Sequence, residues 1–99
     1  MIVVAGYIDI DPAGMDRAAP LVARVLEATR AEAGCVLYVI SRSIDVPGRL
    51  HIHEEWESLE ALAAHGEAPH LAAFRAELGE IGVKGRKVWR REAGEATTL

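Results

Sequence analysis

The runs Cys35-Val36-Leu37-Tyr38-Val39-Ile40-Ser41-Arg42-Ser43 and Arg49-Leu50-His51-Ile52-His53-Glu54-Glu55-Trp56, separated by Ile44-Asp45-Val46-Pro47-Gly48, decide the fold. Asp45, Pro47 and Gly48 are turn chemistry, so the two runs are predicted as strands of one hairpin. Period two in the second run sets His51, His53 and Glu55 on one face and Leu50, Ile52, Glu54 and Trp56 on the other. Upstream, the stripe Leu21, Val22, Val25, Leu26 and Thr29 repeats at helical spacing and stops at Gly34. Pro20 requires this helix either to begin near Asp16 or to kink in its first turns, because proline lacks the N–H that a helix interior uses. Asp11-Pro12-Ala13-Gly14 is a turn, and Ile2 to Ile10 is a first strand with Tyr7 and Asp9 on one face and Val4, Ile8 and Ile10 on the other.

Downstream, Ser58 is a good N-cap and Glu60 suits the dipole of a first turn, so a short helix is expected up to Gly66. A second helix starts at Pro69 and turns Leu71, Ala72, Phe74 and Leu78 inward until Gly79 or Gly82. Val83 to Arg91 reads as a last strand, within a single domain of residues 1–92, and residues 93–99 as a mobile tail. The order β-α-β-β-α-α-β predicts an α+β, ferredoxin-like antiparallel sheet with helices on one face. The strands are apolar at both parities, Val36 and Ile40 against Leu37 and Val39. One helical layer leaves a face to cover, and a second copy packing sheet against sheet, a homodimer, covers it.

With 51% hydrophobic residues, 99 residues can bury one core and no second domain. A net charge of −4 argues against nucleic acid as a partner. Apolar runs such as Ile2 to Ala5 are too short to cross a membrane, and the amino terminus lacks a signal-peptide layout, so the expected location is cytoplasmic. The single cysteine excludes an internal disulfide, and Cys35 reads as a small buried hydrophobe. Five of the 11 Lys and Arg residues, Lys84, Arg86, Lys87, Arg90 and Arg91, gather on the last strand. They form a solvated edge or draw an anionic substrate.

Three segments carry a family likeness: Glu32-Ala33-Gly34-Cys35-Val36-Leu37-Tyr38, then Glu54-Glu55-Trp56-Glu57-Ser58-Leu59-Glu60-Ala61-Leu62, then His65-Gly66-Glu67-Ala68-Pro69-His70. In this order they resemble the antibiotic biosynthesis monooxygenase (ABM) domain, which includes small quinol monooxygenases. The resemblance implies a dimeric α+β barrel and oxidation of a small aromatic substrate, phenolic or hydroquinone, by dioxygen without a cofactor. The family usually has serine before the proline, where this chain has Ala68. A haem-degrading branch of the wider superfamily carries a histidine on the last helix, and Ala72 to Glu77 has none.

The candidate general bases are His65 and His70, which bracket the break between the two helices, with Tyr7 or His53 next. Tyr7, Tyr38 and Arg75 are candidates to hold an oxyanion. Trp56 is either core or, as the resemblance implies, a wall of the substrate cavity. His51, His53 and Glu55 have ligand chemistry, but closed metal sites draw on several elements, and no metal is expected. No Gly-x-Gly-x-x-Gly, Gly-Lys-Ser/Thr or paired-Cys signature for nucleotide, flavin or zinc is present, so no cofactor is expected. A non-catalytic dimeric binding module and an isomerase using His65 or His70 remain the alternative readings.

Overall fold

The computed structural model describes all 99 residues. Strand β1 (Ile2–Ile10) leads through a single 3-10 turn (Pro12–Gly14) into helix α1 (Met15–Arg30). Strands β2 (Cys35–Arg42) and β3 (Arg49–Trp56) follow, then helices α2 (Leu59–Gly66) and α3 (Pro69–Ile81), and strand β4 (Val83–Glu92). The sheet order is β2-β3-β1-β4, antiparallel throughout. This is the ferredoxin-like α+β layout, with the expected hairpin closed by Ser43 N–H donating to the Arg49 carbonyl at 2.9 Å. The helical layer and the sheet each occupy about 10 Å, so the shortest molecular dimension of 19 Å holds one helical layer and no more.

Helix α1 begins at Met15, next to the expected Asp16, and Pro20 lies inside it. Pro20 is exposed, so the Asp16 carbonyl that loses its N–H partner can turn to water. Ser58 caps α2 as expected, its hydroxyl accepting from Ala61 N–H at 3.1 Å. Ala72 departs from expectation: it is exposed, and α3 buries Leu71, Phe74 and Leu78 only. In β2 the register shifts between Cys35 and Leu37, which leaves Val36 exposed as the extra residue and aligns Tyr38 and Ile40 with the helices. Gly34 makes the preceding turn at φ 80°, and a Cβ there would lie 2.6 Å from Ala61, so α2 can close over the start of β2 only on a glycine.

The core lies between the sheet and the helices: Ile2, Val4 and Ile10 from β1, Tyr38 and Ile40 from β2, Leu50, Ile52 and Trp56 from β3, packed beneath Val25, Leu71, Phe74 and Leu78. The opposite sheet face carries Tyr7, Asp9, Arg49, His51, His53 and Glu55, following the predicted parity. No helix covers it. Asp9 accepts two hydrogen bonds from Arg49, at 2.8 and 2.9 Å, and the guanidinium lies 3.7 Å from the Tyr7 ring centroid. Residues 93–99 carry no helix or strand and are exposed, and no helix is long and apolar enough to cross a membrane.

Ala68 is the N-cap of α3 and offers no side-chain hydrogen bond. Ala68→Ser is expected to stabilise the fold by about 1 kcal/mol through a hydroxyl accepting from the first free N–H groups. Equal melting temperatures for the parent and Ala68→Ser proteins would show those groups to be already satisfied.

Candidate active site

The turn after α1 and the break between α2 and α3 meet at one carboxylate. Glu32 Oε2 lies 2.7 Å from His65 Nδ1 and 2.9 Å from His70 Nε2. His65 ends α2 and His70 opens α3, so the two bracket the break and converge on a residue from another element. A carboxylate only accepts, so both imidazoles donate N–H to it, which sets the tautomer of each ring. His65 is then left with Nε2 free, and its side chain is only 4% exposed. Its ring packs against two aromatic groups, with its centroid 4.9 Å from Trp56 in a tilted contact and 5.1 Å from Tyr38 in an edge contact.

His65 borders a cavity of about 740 Å³ between the sheet and the last two helices. The size falls in the range of small-molecule sites, and 13 of its 19 lining residues are hydrophobic, so it suits an apolar ligand with a few fixed polar contacts. Val4, Ile8, Ile40 and Ile52 form the sheet side, and Leu62, Leu71, Phe74 and Leu78 the helix side. Its polar groups are Tyr38, Glu54, His65 and three arginines, Arg75, Arg86 and Arg90. The guanidinium–carboxylate pairs of the chain are Arg17–Glu80, Arg24–Glu77 and Arg49–Asp9, so none of the cavity arginines is neutralised by one.

Burial pushes the Tyr38 phenol well above its ordinary range, and the nearby Glu54 and Glu32 carboxylates push it the same way. Tyr38 is therefore a proton-bearing donor at neutral pH, and its hydroxyl makes no hydrogen bond within the chain. Burial also raises Glu54, while the Trp56 Nε1–H donated to it at 2.9 Å, His65 and Arg75 act in the opposite direction. The Cys35 thiol is raised by burial and by Glu32 and Glu54, which keeps it an unreactive thiol.

The candidates from sequence divide by sheet face. His65, Tyr38 and Arg75 share the cavity. Trp56 is wholly buried in the core, touching the site through His65 and Glu54. His70 reaches Glu32 but borders a smaller cavity of about 160 Å³ beside α1. Tyr7 and His53 lie on the opposite sheet face, Tyr7 beneath Arg49 and His53 with its Nε2 2.9 Å from Glu55. His51, on that same strand face, does not join a ligand cluster with them. The group with metal-ligand chemistry is instead Glu32, His65 and His70. Its contacts are hydrogen-bond separations in which one carboxylate oxygen serves both rings.

Glu32 and Glu54 stand in the segments that carry the family likeness but are not among the site candidates read from the sequence, although both left signals. Glu32 sits just past a helix C-terminus, where a negative charge opposes the dipole unless donors compensate it. Glu54 is the one charged residue among Leu50, Ile52 and Trp56 on the apolar face of β3, and buried carboxylates occur only with partners.

A raised carboxylate pKa means that the folded state binds the proton more tightly than the unfolded state, so Glu54 lowers stability as pH rises from its ordinary value of 4.5 towards the raised one. Glu54→Gln keeps an acceptor for Trp56 and carries no charge. Its melting temperature is expected to exceed that of the parent at pH 7, with the difference vanishing below about pH 4. A pH-independent difference would assign the effect to packing.

The antibiotic biosynthesis monooxygenase family model matches residues 1–77. Rv0793 of Mycobacterium tuberculosis, named provisionally as a monooxygenase, is 39% identical over 57 residues, which make up 58% of this chain and 55% of that protein. The matched stretch thus spans about half the length of this curated relative. In three dimensions the likeness to Rv0793 is complete, with a TM-score of 0.85, 27% identity and 98% of each chain covered. A Deinococcus radiodurans protein, described provisionally as an antibiotic biosynthesis monooxygenase, superimposes with a TM-score of 0.91 at 29% identity, covering 100% of this chain and 98% of that one. A Caulobacter crescentus protein with the same provisional description, at 23% identity and a TM-score of 0.89 over 95% of this chain and 90% of its own, shares the fold. With the sequence match running from the first strand into α3 and the fold common to all elements, the chain belongs to the antibiotic biosynthesis monooxygenase family.

Proposed function

We propose that the protein is a cofactor-independent monooxygenase that oxidises a small phenolic or hydroquinone substrate with dioxygen, and that it works in the cytoplasm as a homodimer. The observation that carries this reading is the Glu32–His65 pair, which leaves the other imidazole nitrogen unbonded on a residue that lines a largely apolar cavity. Family membership supports the monooxygenase class, and the cavity chemistry supports the substrate class.

In this mechanism His65 Nε2 takes the proton of a substrate hydroxyl, and Glu32 stabilises the imidazolium that forms. Tyr38 O–H and Arg75 stabilise the phenolate as its charge develops. The apolar walls exclude water, which raises the worth of these contacts. Deprotonation makes the ring electron-rich enough to reduce oxygen. A ring C–H carbon becomes a carbonyl and the hydroxyl carbon a second carbonyl, while one oxygen atom enters the product and the other leaves as water with the two hydrogens. The substrate supplies all four electrons, so the balance needs no flavin, metal or external reductant. His70, bonded to Glu32 and outside the large cavity, acts as a positioning residue.

The dimer is supported by the sheet face that no helix covers. It bears Val3, Ala5, Tyr7, Leu37 and Val39, and Leu37 and the edge-strand Trp89 are each 40% exposed. A lone, unpaired Cys35 suits a reducing compartment.

With 1,4-dihydroxynaphthalene as substrate, His65→Ala is expected to slow enzymatic oxygen uptake by about 10²-fold or more. His70→Ala should cost about tenfold or less, as a group acting through another. Oxygen uptake equal to that of the parent in both variants would move the base elsewhere. Turnover without oxygen uptake would make the protein an isomerase, and binding without turnover a ligand carrier. Sedimentation at micromolar concentration is expected to find a dimer, and a Leu37→Arg/Val39→Arg variant a monomer. A folded parent monomer would overturn the sheet-to-sheet assembly.

A further inference from the structure

Resting on the proposed aromatic site, we infer that its substrate is a hydroxylated aromatic carboxylic acid, whose carboxylate is held by Arg86 and Arg90 while its hydroxyl end faces His65 and Tyr38.

The two ends of the cavity differ in what they can hold. One end contains Tyr38, Glu54 and His65, with Glu32 behind His65, all buried or nearly so. A permanently ionised carboxylate there would be desolvated beside two other carboxyl groups, which is costly. The other end is exposed and formed by β4, where Arg86, Val88 and Arg90 share one face by strand alternation. Both arginines lack carboxylate partners, although the chain has 15 Asp and Glu residues against 11 Lys and Arg. Two unpaired cations on the cavity side of an acidic protein create a local positive potential that attracts anions.

The surface between these arginines fits a flat ring. Val88 stands between them in β4 and pairs with Gly6 of β1, while Arg86 pairs with Ile8 and Arg90 with Val4. Gly6 has φ 148°, and a Cβ there would lie 2.0 Å from the Lys87 carbonyl oxygen. Glycine thus keeps β1 and β4 close and leaves no side chain beside Val88. A ring lying on Val88 would have the Cα atoms of Arg86 and Arg90 about 7 Å to either side along the strand, within reach of flexible arginine side chains. A guanidinium matches a carboxylate with two parallel N–H donors, which gives orientation as well as attraction.

Calorimetric titration of the intact protein with 2-naphthoate and with its neutral isostere 2-naphthamide tests the inference. At low ionic strength 2-naphthoate is expected to bind about tenfold or more tightly than the amide, with the margin shrinking as salt is added. Arg86→Met/Arg90→Met should bring 2-naphthoate down to the affinity of the amide and leave the amide unchanged. Arg86→Lys/Arg90→Lys, which keeps charge and loses the planar fork, should retain part of the preference and covers the case in which the Met variant misfolds. Equal affinities of the parent for the two compounds would overturn the carboxylate assignment and leave the aromatic cavity standing. A full preference surviving in the Met variant would overturn the assignment to Arg86 and Arg90. Failure of both compounds to bind would overturn this inference and the aromatic site together.

Discussion

One carboxylate oxygen, Glu32 Oε2, holds two histidines from two helices, and the organisation of the site depends on it. Glu32 follows α1, His65 ends α2 and His70 begins α3. The contact therefore ties the first half of the chain to the break in the second half, where Ala68 supplies no side-chain cap. Without it, the His65 ring would lose the bond that sets its tautomer, and two helix ends would be joined mainly by apolar packing. Because Glu32 accepts both N–H groups, the remaining His65 nitrogen is the only part of the triad that the large cavity can use.

Covering the sheet on one face only sets the second constraint. Helices α1, α2 and α3 lie on the side of Val4, Ile40, Ile52 and Trp56, and they leave part of β1 and β4 uncovered on that same side. The cavity occupies this gap. The packing that makes the core thus also makes the pocket, and β4 serves as the last strand of the fold and as the pocket's open wall. The other face bears the Asp9–Arg49–Tyr7 cluster, His51, His53 and Glu55 together with the apolar positions Val3, Ala5, Leu37 and Val39, and no helix covers it.

Electrostatics then divides the pocket into two ends. Burial raises both Tyr38 and Glu54, and Tyr38 keeps its proton at neutral pH, which leaves the unbonded His65 nitrogen as the site's candidate proton acceptor. The outer end holds guanidinium groups that stay charged at any physiological pH. A ligand entering this pocket meets charge first and proton chemistry last.

Local rules determined the elements, and most of those rules are legible in the sequence. Turn residues 45–48, the Ser58 cap, the proline at the head of α3 and the period-two alternation of β3 act over a few residues, and each stands where the pattern predicts. The family likeness was equally legible, because its residues occur in order along the chain. Short-range signals failed where partners come from distant segments. Parity along β1 separates Tyr7 from Val4 but does not say which face the helices cover. Period two in β3 groups His53 with Glu55, yet only the packed sheet turns that face away from the cavity. Glu32 and His65 are 33 residues apart, and the pairing of Val88 with Gly6 spans most of the chain. Long-range burial and hydrogen bonding decided these, because a polar group's role depends on which water is removed from it and which partner replaces that water.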